Sequence, residues 1–316
     1  MIFAHDKVLG MLLGLHAGDS LGAPWEFLPP SPVWNKHTEI VGGGKFKWKV
    51  GEATDDTDLM LCVLRAIENP HLLSFDVLKK EMLKWYDSHP PDIGTTTIRG
   101  LRNLKAGLPL KSCGYVDNKF QGNGSIMRVA PLSLLAEDAN GTYQGSQILT
   151  LDEVIETQTK MTHGHSLCVE SDRVFIAALR AALRGGTKSG IYHAAIKEAG
   201  RVSETILKRL QQVITLPWEQ LPTSGFCVDT LCAGMWALLR HDNFESALVA
   251  VVNRGDDSDS CGAVAGALCG AYYGLSAIPQ RWLKVLEFHD EIVEILRNKN
   301  LLDDSLDDLN PAGTEV

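Results

Sequence analysis

Two short acidic runs stand at opposite ends of this chain. Thr54-Asp55-Asp56-Thr57-Asp58 is one; Asp256-Asp257-Ser258-Asp259-Ser260, preceded by Asn253-Arg254-Gly255, is the other. Each sets carboxylates beside hydroxyls at what reads as the first turn of a helix. Hard oxygen donors of this type are the ones Mg²⁺ and Mn²⁺ prefer. A Thr/Asp run also caps helices, and the positive end of a helix stabilises a carboxylate there by about 0.3–1 kcal/mol. Capping needs one or two such residues, and here five stand in a row. With Asp55 as the cap, Asp56 and Asp58 fall in the first turn, and the three carboxylates repel one another unless a cation neutralises them. The expectation is one metal centre built from both ends of the chain. Asp259 would bridge two ions, Asp257 and Ser260 would complete one, and Thr54, Asp55 and Asp56 the other.

Other segments read as walls of one cleft. From Gly14 to Phe27 a helix end runs into a Gly-punctuated loop, which Glu26 closes between Trp25 and Phe27. Gly122-Asn123-Gly124-Ser125-Ile126-Met127-Arg128 is a Gly-rich turn leading into an expected helix, whose N-terminal amides could bind a diphosphate. Short Gly turns are also simply turns. Thr162-His163-Gly164-His165 sets two imidazoles between helices, although His-x-His is a poor spacing for one helical face. Ser224-Gly225-Phe226 follows a Pro-containing loop and could offer an aromatic to a flat base or sugar, or serve as an ordinary hydrophobic anchor.

The elements that must position these residues are helical. Stripes at helical spacing mark helices from Val8 to Gly18-Asp19, from Leu59 to Ile67 and through Leu78, Met82 and Trp85 up to Pro90-Pro91. Further helices are expected over Thr95–Ala106, Ser125–Ala136, Leu151–Thr162, Leu167–Arg184, Ile191–Thr215, Asp229–Arg240, Phe244–Asn253, Ser260–Gly274 and Gln280–Lys299. Lys45 to Val50 is the one short strand candidate. Gly262, Gly266 and Gly270 recur on one helical face, so another helix is expected to approach closely there. Each Gly costs roughly 1 kcal/mol relative to Ala in a helix interior, which calls for a packing reason.

A chain of 316 residues can bury a large core, and no linker or repeat divides it. The reading is a single mostly-α domain over residues 1–300, with an acidic, frayed tail over 301–316 that carries Asp303, Asp304, Asp307 and Asp308. The formal charge of −9 argues against nucleic-acid and anionic-membrane partners. It leaves phosphate-bearing metabolites open, because metals and backbone amides supply local positive potential. The N-terminus lacks the basic region of a secretory signal, and Cys261 to Ile278 is too rich in Gly and Ala for a bilayer span. The seven cysteines are odd in number, scattered and free of any C-x-x-C pair, as expected of reduced thiols in the cytoplasm.

In this order, the segments resemble the ADP-ribosylglycohydrolase family. The likeness runs from about Leu9 to about Leu296. It rests on Gly18-Asp19-Ser20-Leu21-Gly22 with Glu26, on Thr54-Asp55-Asp56-Thr57 and on Asp92-Ile93-Gly94-Thr95-Thr96. It continues through Gly122 to Arg128, Thr162-His163, Gly225 to Leu231, and Asn253 to Gly274. The resemblance implies an all-α fold, a compact orthogonal helical domain, with two Mg²⁺ or Mn²⁺ ions below an ADP-ribose cleft. It implies Thr54, Asp55, Asp56, Asp257, Asp259 and Ser260 as metal ligands. Gly122, Asn123, Gly124, Ser125 and His163 would hold the phosphates and distal ribose, and Phe226 would line the adenosine side. Two departures stand out: Ser260 where the family has Thr, and Asp256 where it has Gly.

The implied reaction is hydrolysis of the bond between ADP-ribose and a modified protein side chain, with Glu26 and Asp92 moving protons or orienting the leaving group. Asp92-Ile93-Gly94 resembles the arginine-linked, nitrogenase-reactivating branch and favours an arginine N-glycosidic bond. Hydrolysis of serine-linked or other O-linked ADP-ribose is the alternative. A non-catalytic ADP-ribose-binding protein, or an immunity protein against an ADP-ribosylating toxin, is the reading from another class. The partners are then an ADP-ribosylated protein as substrate and ADP-ribose as product.

Overall fold

The computed structural model describes residues 3–31, 36–148 and 150–302. Among them the helical periodicity resolves into thirteen α-helices. In chain order they are α1 (His5–Gly22), α2 (Asp55–Ala66), α3 (Phe75–Asp87), α4 (Thr95–Lys105), α5 (Leu151–Lys160), α6 (Ser166–Leu183) and α7 (Lys188–Val202). They continue with α8 (Glu204–Val213), α9 (Cys227–Arg240), α10 (Phe244–Val252), α11 (Ser258–Tyr273), α12 (Gln280–Leu283) and α13 (His289–Asn298). The buried apolar side chains form one continuous cluster from Phe3 to Leu302. The fold is therefore mostly helical, as the periodicity predicts.

Helices α1 and α11 are the axis. Both are buried almost along their full length. They run antiparallel, with Gly10, Gly14, Gly18 and Gly22 facing Gly270, Gly266, Gly262 and Ser258 in turn. A Cβ on Gly14 would lie 2.5 Å from the Gly266 carbonyl oxygen, and one on Gly18 would sit closer still to that of Gly262. The backbones touch, which is the packing reason the glycines of α11 called for. The antiparallel course sets the C-terminal turn of α1 beside the N-terminal turn of α11, and this is what brings the two ends of the chain to one site.

Several elements depart from the periodic reading. Lys45 to Val50 is a loop in which Gly43 and Trp48 exchange backbone hydrogen bonds of 2.7 and 2.9 Å. Gly42, Gly43, Gly44 and Lys47 have positive φ, and only Trp48 of that run is buried. The strands lie elsewhere, in a small sheet of order β1 (Ile67–Asn69), β2 (Leu72–Ser74), β3 (Asn140–Tyr143) and β4 (Ser146–Ile148). β2 and β3 are parallel, with Leu73 opposite Gly141, and the outer pairs are antiparallel. Ser125–Ala136 is a set of turns followed by a 3-10 helix over Ala130–Leu134. Pro131 has no N–H for an α-helix and pushes Ala130 from α geometry.

The expected helix Ile191–Thr215 breaks at Ser203, which is extended (φ −156°, ψ 113°), ends α7 and caps α8 through its hydroxyl. Gln280–Lys299 splits into α12 and α13, and between them the Glu287 amide bonds to Gly51 O at 3.0 Å. The first helix continues past Asp19 to Gly22. All seven cysteines are free and buried. No helix of the described residues is long and apolar enough to cross a membrane. The acidic tail from Asp303 onward lies outside the described residues.

Candidate active site

Asp19 is the hinge of the site. It sits in the last turn of α1, with no exposure to solvent. Its carboxylate accepts hydrogen bonds from Thr54 N at 3.1 Å, Thr57 N at 3.1 Å and Thr57 Oγ1 at 2.5 Å. It therefore fastens the start of α2 to the end of α1. Thr54, and not Asp55 as the sequence reading has it, is the N-cap; its Oγ1 accepts from Asp56 N at 3.3 Å. A Thr oxygen reaches this N–H from outside the helix, whereas Asp55 already has helical geometry. On the facing helix, Ser258 Oγ donates to Gly22 O at 2.9 Å. Ser260 Oγ donates to Asp56 Oδ2 at 3.2 Å. The two acidic runs thus meet. Asp58 turns away from them and accepts from Trp85 Nε1 at 2.8 Å.

Above this floor lies a cleft of about 550 Å³. Asp55, Asp257, Asp259 and Ser260 line its base, Asp92 to Thr97 one wall, and Gly122, Asn123, Gly124, Met127, His163 and Gly225 the other. Phe27, Lys45 and Phe46 stand at its mouth beside Glu26. Asp56 and Thr54 lie behind the base, almost wholly buried. Glu26, Asp92 and Asp259 each bring one carboxylate oxygen within 4.8 Å of the other two. The expected proton-moving pair and the expected bridging ligand therefore form one cluster.

The electrostatics of the cluster are dominated by burial and negative charge, with Lys45 opposing them in part at Glu26 and Asp92. Burial, then Asp92 and Asp257, push the Glu26 carboxyl up to about 9. Burial, then Asp257, push Asp92 up to about 6. Asp55, Asp56 and Asp259 are all driven well above the usual carboxylate range by burial first and neighbouring carboxylates second. Asp56 Oδ1, Asp259 Oδ1 and Glu26 Oε2 are enclosed without a hydrogen-bond partner among the described residues. An enclosed carboxylate oxygen without a donor is costly unless a cation answers it. The donors are all carboxylate and hydroxyl, which suits a hard divalent cation.

The second wall is held by a buried network. Arg128 is fully enclosed and donates to Gly124 O at 2.7 Å, Gln158 Oε1 at 2.6 Å and Thr162 Oγ1 at 2.8 Å. Thr162 Oγ1 lies 2.8 Å from His163 Nδ1. Arg128 has only protons to give, so the Thr162 hydroxyl proton is free to go to Nδ1. That tautomer leaves the proton of His163 on Nε2, toward the cleft. Burial, then Arg128, hold His163 down to about 3, so the ring is neutral. Gly124 is glycine because a Cβ there would lie 2.7 Å from His163 Cε1. Asn123 Nδ2 donates to Asp257 Oδ2 at 3.0 Å and ties this wall to the floor. A Cβ on Gly225 would crowd the same Asp257 oxygen at 2.9 Å.

Three expectations need correction. Ser125 is buried and gives its hydroxyl to Asp172 Oδ1 at 3.2 Å, so its side chain does not reach the cleft. No α-helix follows Gly122–Ser125, so any anion there meets loop amides and no helix N-terminus. Phe226 is half-buried, pairs its backbone with Gly122 and does not line the cleft, which Gly225 does. His165 is a cap: its Nδ1 accepts from Leu167 N at 3.1 Å. Asp256 is exposed and outside the cleft lining. Its φ of 58° is the left-handed geometry that Gly adopts most readily. Asp19 and Arg128 both lie in motifs singled out in the sequence. Neither has a role legible without knowing which loops they join. Lys45 and Phe46 sit in a loop whose alternation imitates a strand.

A helical scaffold with an enclosed carboxylate floor beneath a Gly-walled cleft defines a hydrolase-type site. The ADP-ribosylglycohydrolase family profile matches residues 2–310. Among similar proteins is ADP-ribosyl-[dinitrogen reductase] glycohydrolase of Rhodospirillum rubrum, 32% identical over 91% of this chain and 92% of its own length. Another is ADP-ribosylarginine hydrolase Tri1 of Pseudomonas putida (strain GB-1), 30% identical over 92% of this chain and 77% of its own length. A solved structure described as an ADP-ribosylglycohydrolase-related protein complex superposes with a TM-score of 0.76 at 31% identity, covering 94% of this chain and 98% of its own. The chain belongs to the ADP-ribosylglycohydrolase family and is a hydrolytic enzyme.

Proposed function

We propose that this hydrolase releases ADP-ribose from modified arginine side chains at a dinuclear Mg²⁺ or Mn²⁺ centre. The observation that carries the metal centre is the pair of enclosed, unanswered carboxylate oxygens on Asp56 and Asp259. Support for the arginine linkage comes from the printed activities of the relatives from Pseudomonas putida and Rhodospirillum rubrum. Thr54, Asp55, Asp56, Asp257, Asp259 and Ser260 would hold the ions. Bound there, the metals supply Lewis acidity and a water of lowered pKa.

The remaining chemistry belongs to the chain. His163 Nε2–H and the amides of Gly122 and Gly124 grip phosphate or ribose oxygens and fix the sugar over the floor, while the Asn123 amide is taken by Gly225 O at 3.0 Å. Asn123 keeps Asp257 turned toward it. The environments of Glu26 and Asp92 differ, and such a split is how two carboxyls take opposite roles. Glu26, whose carboxyl is raised further than that of Asp92 by burial and neighbouring carboxylates, would give a proton to the departing nitrogen, and Asp92 would accept one from the attacking water. The test is release of free ADP-ribose from matched arginine-linked and serine-linked substrates, each with Mg²⁺, with Mn²⁺ and with chelator. Metal-dependent release from the arginine substrate is the expected result. Release from the serine substrate alone would overturn the linkage, and equal release in chelator would overturn the metal.

A further inference from the structure

The carboxylate floor explains the base of the cleft but not its mouth. Phe27 stands there 55% exposed, with φ at 64°. A bulky residue rarely adopts this left-handed backbone, and the strain persists only where surrounding structure fixes it. The fixing bonds are Phe27 N to Asp256 O at 2.7 Å and Asp256 N to Leu28 O at 2.9 Å. The fold therefore clips its entrance loop to the segment before Asp257, and in doing so holds a phenyl ring in water. Phe46 faces it from the opposite loop, with ring centroids 6.4 Å apart and planes at 67°.

Against both rings, at the corner they form, lies a cation. Lys45 Nζ is 4.0 Å from the Phe27 centroid and 4.9 Å from that of Phe46. Both distances are inside the ~6 Å range of a cation–π contact. Among the described residues Lys45 makes no ion pair within 4.0 Å; besides the two rings, its charge acts on Glu26 and Asp92 across the mouth. Glu26 precedes Phe27 directly, so the aromatic pair opens onto the cluster of Glu26, Asp92 and Asp259. A guanidinium is planar, weakly hydrated and stacks on aromatic faces better than an ammonium. A serine side chain offers neither charge nor plane.

We propose that Phe27 and Phe46 form a two-ring clamp for the guanidinium of the modified arginine, and that Lys45 fills it until substrate displaces it. This rests on the arginine reading above and adds the residues that select a cationic leaving group over a neutral one.

The probe is agmatine, a free alkyl guanidinium, titrated into the ADP-ribose-saturated protein and followed by ligand-observed NMR. The wild type should bind it. The double variant Phe27→Leu with Phe46→Leu should bind it about 5- to 30-fold more weakly, with an unchanged melting temperature because both changes lie at the surface. Lys45→Met should bind it more tightly, since the internal competitor is gone. In hydrolysis, the double variant should lower the ratio of arginine-linked to serine-linked kcat/KM by a similar factor. Agmatine affinity unchanged in the double variant would overturn the clamp. Weaker binding in Lys45→Met would overturn the place-holding role. If the wild type hydrolyses no arginine-linked substrate, the proposed function falls, and the agmatine titration still decides whether the clamp exists.

Discussion

Asp172 and Asp259 are both enclosed carboxylates on core helices, 0% and 2% exposed; burial raises both, but the protein surrounds them differently. Asp172 accepts from Thr159 Oγ1 at 2.5 Å and Ser125 Oγ at 3.2 Å, and the Arg128 guanidinium lies near enough to favour its charge. Asp259 has an oxygen with no donor at all, and its charged neighbours are Asp257, Asp56, Glu26 and Asp19. Where a carboxylate serves the structure, the chain supplies its own protons and cation. Where the same group faces the cleft, the chain supplies only more negative charge. The second arrangement is stable as charge only if something from outside answers it.

The contrast can be broken most directly by giving both sites the same neutral amide. Asp259→Asn should lower ADP-ribose release by at least about 10³-fold, yet in chelator it should raise the melting temperature, because one repelling carboxylate is gone. Asp172→Asn should do the reverse. It should destabilise the protein by about 1–3 kcal/mol, as the Arg128 network loses its charge partner. If both variants shift the melting temperature in the same direction, the distinction fails.

The pH dependence sharpens the same point. Glu26 is pushed up to about 9, and Asp55, Asp56 and Asp259 stand well above their ordinary values. Groups of this kind bind protons in the folded state that the unfolded chain has already released. Stability must therefore fall as pH rises toward their folded pKa values. His16 and His163, both held down to about 3 by burial, are neutral in folded and unfolded states alike above about pH 7.5, so they add no slope there. Between about pH 7.5 and 9 the melting temperature in chelator should drop, in part because buried thiols such as Cys62, Cys232 and Cys269 are also raised, and Mg²⁺ or Mn²⁺ should remove the share that belongs to the floor. A flat profile in chelator would place the carboxylates in better company than the geometry shows.

The smallest effect concerns Asp256. Its side chain is exposed and outside the cleft; its backbone is left-handed, and its charge acts on Asp257 only after burial and the hydrogen bonds there. Asp256→Gly should stabilise the protein by about 0.5–1 kcal/mol without touching metal affinity. A change in metal affinity would bring Asp256 into the charge balance of the floor.

Much of this was legible in the residues. The acidic runs announce hard donors by type alone, and the Gly262, Gly266, Gly270 spacing demands a closely packed partner. The mostly helical fold follows from period 3.6. What the chain order hides is which distant segments touch. Asp19 matters because α1 and α11 run antiparallel, and its role at the start of α2 needs that geometry. Arg128 is a buried cation whose partners lie between residues 124 and 172. The short strands are too brief for alternation to register. Ser203 divides a helical pattern through a single extended residue. Phe226 reads as an aromatic lining, but the loop pairing with Gly122 turns Gly225 to the cleft in its place.

The central claim is the proposed one, that the floor would hold divalent ions with Asp259 among their ligands. A calorimetric titration of the wild type and of Asp259→Asn with Mn²⁺ tests it most directly. The account predicts two sites in the wild type, and in the variant at most one of weakened affinity. No uptake by the wild type, or an unaltered two-site curve in Asp259→Asn, would contradict it.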